Sequence, residues 1–184
     1  NAYACAIYLG VEQRAGSTLR PSRVSGCNTY VSGGGKSHCG FGVNSRTEIL
    51  DCTSQGFTRP FFSDTGSGAD STIARCSAWD VDVAVELQAL GSDFRSGLVV
   101  RDCFFRFGTP AGGYVAGAVF VGAVSGVEII DCVFEGSAAV PSYKGSGNGA
   151  SCGPVRVSAS TAWRGPSVWQ APQLANGAAA WITI

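Results

Sequence analysis

Short runs of apolar and polar residues recur along the chain at a near-constant distance. The clearest is residues 127–136, VEIIDCVFEG, and similar words begin at Thr47 (TEILDCTSQG), Ser71 (STIARCSAWD) and Leu98 (LVVRDCFFRFG), with a fainter copy at Arg23 (RVSGCNTY). In each, an aliphatic residue (Val24, Ile49, Ile73, Val100, Ile129) stands three positions before a cysteine (Cys27, Cys52, Cys76, Cys103, Cys132), and a short β-type run follows. The cysteines are 25, 24, 27 and 29 residues apart. Such a period marks a solenoid, in which each coil buries its apolar side only by stacking on its neighbours.

A second family of strands lies between these motifs: residues 6–11 (AIYLGV), 40–43 (GFGV), 59–64 (RPFFSD), 82–87 (DVAVEL), 115–121 (VAGAVFV) and 153–158 (GPVRVS). Each but the last precedes a cysteine motif across a turn rich in Gly, Ser, Asp or Asn. With the short run after each cysteine, a coil holds three strands of about five residues and three turns of about three, or about 24 residues. The pattern predicts an all-β fold, a right-handed parallel β-helix of about 5–6 coils over residues 1–158. A leucine-rich repeat would need L-x-x-L-x-L-x-x-N, which is absent, and an α-solenoid would need apolar stripes of helical period.

Residues 140–150, VPSYKGSGNGA, read as a surface excursion of the last regular coil. After Ser158 the motif stops. Residues 159–184 hold Trp163, Trp169 and Trp181 and end in AAAWITI, which predicts an atypical segment that caps the last coil or associates with another chain.

Composition narrows this picture. The 184 residues are 45% hydrophobic and 14% charged, as suits one folded domain, and the 26 glycines suit a repetitive β protein. Thirteen basic and thirteen acidic residues are interspersed and cancel, so no basic stripe offers itself to nucleic acid. No apolar run reaches the roughly 20 residues of a membrane helix. The chain starts at Asn1 and contains no methionine, which predicts a trimmed product or a fragment.

Eight cysteines without any C-x-x-C, and a single His38 beside Cys39, give no basis for a metal site, and no cofactor is expected. Cysteine recurring at one place in each coil instead predicts an internal ladder of buried thiols, since free cysteine behaves as a small hydrophobe. Cys5, Cys39 and Cys152 head strands of the second family and predict a second, interrupted column.

The repeated V-x-I-x-[DN]-C-x-F resembles the coils of the pectate-lyase-like β-helix superfamily, which includes bacteriophage tailspikes, tail fibres and related virion proteins. The resemblance covers residues 5–158. It implies the fold; the superfamily's members range from polysaccharide lyases and glycoside hydrolases to adhesins and inert virion parts.

Candidate chemistry is sparse. A glycosidase needs two carboxyls about 5–10 Å apart across a cleft, and the best local set is Asp80, Asp82 and Glu86 in WDVDVAVE. Asp80 and Asp82 share a strand face at i, i+2, and Trp79 is placed to stack on a sugar. The residues before the ladder cysteines, Gly26, Asp51, Arg75, Asp102 and Asp131, form either a carboxylate row or a turn column in which Arg75 bridges Asp51 and Asp102. No nucleophile or phosphate-loop motif is present.

The expected function is therefore a non-enzymatic structural or adhesive module, a virion component such as tail fibre, tailspike or capsid decoration. It would be located on a virion or outside the cell, as a homo-oligomer or with other assembly proteins, and with cell-surface polysaccharide as a further partner. A polysaccharide-active enzyme and a secreted bacterial surface protein are the alternatives.

Overall fold

Alternation in the V-x-I words fixes which side chains enter the core, and the period then stacks equivalent words on one another. A computed structural model describes residues 5–9, 22–33, 35–43, 46–63, 70–88, 97–108, 116–121, 126–136, 142–146, 155–158, 160–164, 173–175 and 182–183. The strands fall into successive rungs. The first holds β1 (Cys5–Leu9), β2 (Ser22–Ser25) and β3 (Asn28–Tyr30), and the second β4 (Ser37–Val43), β5 (Thr47–Leu50) and β6 (Thr53–Gln55). Then come β7 (Phe57–Ser63), β8 (Thr72–Ala74) and β9 (Ser77–Val81), followed by β10 (Val83–Gln88), β11 (Val99–Arg101) and β12 (Phe104–Phe107). Beyond these lie β13 (Ala116–Val121), β14 (Val127–Ile130), β15 (Val133–Glu135), β16 (Ser142–Ser146), β17 (Val155–Val157), β18 (Ala162–Arg164), β19 (Gln173–Ala175) and β20 (Ile182–Thr183).

Every third strand pairs in parallel, giving three sheets: β1-β4-β7-β10-β13-β16-β19, β2-β5-β8-β11-β14-β17-β20, and β3-β6-β9-β12-β15-β18. The chain is an all-β parallel solenoid. The expected 5–6 coils are too many for the part with side chains described on all three strands: there the solenoid amounts to about three turns, β4 to β12, and the packing below rests chiefly on them.

One register column runs through the second sheet as Val24, Ile49, Ile73, Val100, Ile129 and Val157, all packed in or against the core. The other two sheets trade volume. In the first sheet Phe41 and Phe61 are stacked with centroids 5.7 Å apart, while the third sheet places the small residues Ser54 and Ala78 in those rungs, above Thr29 of the first rung. Thr29 Oγ1 donates to Ser54 Oγ at 3.1 Å, so these buried hydroxyls are satisfied. In the fourth rung the first sheet offers Val85, and the third sheet supplies Phe105, stacked on Phe134 of the next rung at 5.2 Å. The changeover is an edge-to-face pair, Phe61 with Phe105, at 6.0 Å.

The first five turns from second to third sheet are each made by one residue in the left-handed region: Gly26, Asp51, Arg75, Asp102 and Asp131, with φ of 66°, 55°, 53°, 54° and 52°. Glycine takes that conformation readily, and Asp or Asn next to it, which accounts for every member of the column but Arg75.

Two boundaries differ from the sequence reading. Residues 140–150 contain β16, which continues the first sheet beside β13, and Val155–Val157 belongs to the second sheet beside β14 rather than to the family of GPVRVS. The segment VRVSASTAWR is thus a further copy of the motif, with Thr161 in the cysteine's place and a turn one residue longer. Thr161 Oγ1 donates to Ile129 O at 3.3 Å, as Cys132 Sγ does to Val100 O at 3.6 Å.

Candidate functional site

Asp80 and Asp82 sit at the corner between β9 and β10, and the local backbone separates them. The i, i+2 expectation assumes an extended chain, but Asp80 has φ of 57°. Its side chain is half exposed, whereas that of Asp82 is 3% exposed. Both carboxylates meet one cation: Lys36 Nζ lies 3.1 Å from Asp80 Oδ1 and bonds Asp82 Oδ1, and its own side chain is only 8% exposed.

Lys36 comes from the same corner two rungs earlier, and Gly56 stands between. Ser37 N–H donates to Gly56 O and Gly56 N–H to Trp79 O, each at 3.1 Å. Without a side chain in that rung, one lysine spans two rung spacings, about 10 Å. Gly56 has φ of 76°, and a Cβ there would approach Val31 Cβ to 3.2 Å.

Glu86, 3% exposed, belongs to a different group. Arg59 Nε, one rung earlier, donates to Glu86 Oε2, and Arg59 Nη1 lies 3.0 Å from His38 Nδ1. A guanidinium only donates, so that ring nitrogen is the acceptor. The Arg59 guanidinium lies 5.6 Å from the Phe62 ring centre, and His38 meets the same ring edge-on at 5.2 Å. Trp79 is half-buried on β9, between Gln55 and Arg106 in register, and Arg106 pairs with Glu135 at 2.7 Å.

The structure therefore joins Asp80 to Asp82 through Lys36 and ties Glu86 to Arg59. Sequence reasoning missed Lys36, Arg59 and His38. Lys36 is 46 residues from Asp82 and Arg59 is 27 from Glu86, so only the coil register brings them together.

Cys52, Cys76, Cys103 and Cys132 are buried and Cys27 is half-buried; these five and buried Cys39 are free thiols. Each ladder sulfur donates to the carbonyl two residues back, at 3.1–3.7 Å, and those from Cys52 onward also approach a carbonyl of the preceding rung. Hydrogen bonding to Cys132 and Cys76, together with burial, pushes the Cys103 thiol well up, and burial raises that of Cys52. The changes at Cys103 and Cys52 oppose the thiolate, the form that reacts and binds metal, whereas the hydrogen bond with Cys103 lowers the Cys76 thiol. Among the described residues no group of three His, Cys, Asp or Glu is placed to hold a metal ion. Cys5 is the register partner of Cys39, the next position in that column is Arg59, and Cys152 lies outside the described residues.

In the turn column Arg75 forms a two-point bond with Asp51, Nε to Oδ1 at 2.7 Å and Nη2 to Oδ2 at 2.8 Å. It does not bridge to Asp102, which Arg101 meets at 3.2 Å; Asp131 accepts from Ser160. Trp163 lies on β18, with Phe134 as register partner, and Trp169 and Trp181 lie outside the described residues. No helix among the described residues is long and apolar enough to cross a membrane. Comparison with family models, with curated proteins and with solved structures finds no match to this chain.

Proposed function

We propose that this chain is a non-enzymatic structural or adhesive β-solenoid module of a surface assembly, as a virion component of the tail-fibre, tailspike or capsid-decoration kind. The observation that supports it is the use made of the candidate acids. Asp82 and Glu86 are buried and tied to cations from earlier rungs, so their charges join coil to coil. A glycosidase would need two carboxyls facing one open cleft, one of them able to give up a proton. The virion setting and the pectate-lyase-like identity rest on the repeated cysteine motif. In this reading residues 159–184, with Trp163, Trp169 and Trp181, form the face that meets another copy or another protein of the assembly.

The test is to incubate the protein with bacterial surface glycans and follow both reducing ends and co-sedimentation. Binding without release of reducing ends supports the adhesive reading, and neither binding nor release supports a structural part. Release that is lost in Asp80→Ala or Glu86→Ala, with the fold intact by circular dichroism, overturns the proposal. For the association face, a chain lacking residues 175–184 should lose oligomeric mass in sedimentation while its remaining coils stay folded.

A further inference from the structure

The outer face of the second sheet carries a cleft of about 460 Å³. Its origin lies in one register column, Arg23, Glu48, Thr72, Val99, Glu128 and Arg156. Four of these side chains are long and charged; the two in the middle are short. Thr72 and Val99, with Leu50 beside them, form the floor, and the depression lies between their longer neighbours. Its volume falls within the range of small-molecule sites.

Among the described residues Arg23, Arg75, Arg101 and one acid, Glu48, line this cleft, and Asp51 and Asp102 stand behind two of the arginines. Arg23 and Glu48 enter from β2 and β5, Arg101 from the end of β11, and Arg75 from the turn after β8. None of the arginines is fully engaged by its own carboxylate. Arg23 Nε is 3.6 Å from Glu48, too far for a hydrogen bond, and Arg101 reaches Asp102 through one contact of 3.2 Å. Arg75 commits Nε and Nη2 to Asp51, with Nη1 outside that fork. Their side chains are 62%, 47% and 47% exposed, so they can turn toward a ligand.

We infer that this cleft binds a phosphate-type oxyanion, free or carried by a larger molecule. A carboxylate offers two coplanar oxygens, which a single guanidinium fork satisfies. Arginines supplied by three different segments, β2, the turn after β8 and the end of β11, suit a tetrahedral group with acceptors in several directions, and Thr72 adds a hydroxyl donor. The volume also leaves room for a body of sugar size attached to the anion. This inference does not rest on the adhesive reading: failure to bind glycans would leave it standing.

The experiment titrates the full chain at low ionic strength with inorganic phosphate, and separately with a hexose 6-phosphate, following backbone amides and arginine Nε–H signals by NMR. Saturable shifts at Thr72, Val99 and Arg101 are expected, with affinity roughly millimolar. Arg101→Gln should weaken binding at least tenfold, and Arg106→Gln, on another sheet, should leave it unchanged. Tighter binding of the sugar phosphate identifies a carried group; equal binding identifies the free anion. Shifts that never saturate, that survive Arg101→Gln, or that sodium chloride reproduces at matched ionic strength would overturn the inference.

Discussion

Exchange of volume between the first and third sheets makes a strong test of the core. In the fourth rung Phe105, with no exposed surface, fills from the third sheet the space that Phe41 and Phe61 fill from the first sheet lower in the stack, and Val85 stands on the first sheet beside it. Phe105→Ala removes a ring that touches Phe61 and Phe134, at a cost of about 3–5 kcal/mol. In a chain of this size that lowers Tm by roughly 6–20 °C. Val85→Phe alone overpacks an occupied rung and costs about 1–3 kcal/mol. If the two positions share one volume, the new ring at 85 enters the space vacated at 105, and the double variant should be at least about 1.5 kcal/mol more stable than independent costs allow. Guanidinium unfolding followed by far-UV circular dichroism, with the slopes compared among variants, measures this coupling. Additivity within about 0.5 kcal/mol, or a stabilising Val85→Phe, would refute the shared volume.

Cys76→Ser should cost only about 1 kcal/mol, because the Ala74 carbonyl that the thiol meets at 3.3 Å remains an acceptor for the hydroxyl; a loss above about 3 kcal/mol in the unfolding midpoint would contradict this. Gly108→Ala should be modestly destabilising, because its Cβ would displace the end of the half-exposed Asp80 side chain from Lys36 and stand 3.1 Å from Asp80 Cα; adding Asp80→Ala should relieve only the first of these in a thermal melt. Hydrogen bonds from Arg75 hold the Asp51 carboxyl below its ordinary value, so its contribution is present above about pH 4 and is lost as pH falls through the lowered value. Asp51→Asn should therefore flatten the stability curve below about pH 4; the effect should be small, as the pair is exposed, and should fade with added salt.

The inward columns were legible because each combines a strict position with a narrow choice of residue. An aliphatic residue three before a cysteine identified Ile49, Ile73, Val100 and Ile129, and all four are core residues. Legibility failed where the stack itself replaces that local signal. SYKGS in β16 has no apolar alternation and pairs because β13 lies beside it. Val155–Val157 was assigned to the wrong family because Cys152 imitates the cysteine at the head of β4, while the turn one residue longer and Thr161 conceal the repeat. Asp80 and Asp82 were placed on one face by an alternation rule that a positive φ at Asp80 breaks.

A solenoid separates its two kinds of information by face. An inward residue meets equivalent residues above and below, so changing it disturbs three rungs, and the resulting ladders of aliphatic, cysteine and aromatic side chains announce the fold while saying nothing of a ligand. Outward residues are bound less tightly by the stack, and some of their columns carry charges paired between rungs, such as Arg106 with Glu135 and Arg156 with Glu128. Regular pairing of this kind neutralises a surface. Positions that interrupt it carry more information about binding than the pairs do. On the second sheet the interruption is Thr72 and Val99, short residues that leave arginines around a depression. On the third it is Trp79, an aromatic between Gln55 and Arg106. The buried pairs of Lys36 with Asp82 and Arg59 with Glu86 are the opposite case, since removing either cation takes a counter-charge from a buried carboxylate at a cost of about 3–5 kcal/mol. Those acids belong to the stack, and in the proposed adhesive role contact with a partner falls to the outer faces that the pairing leaves unfinished.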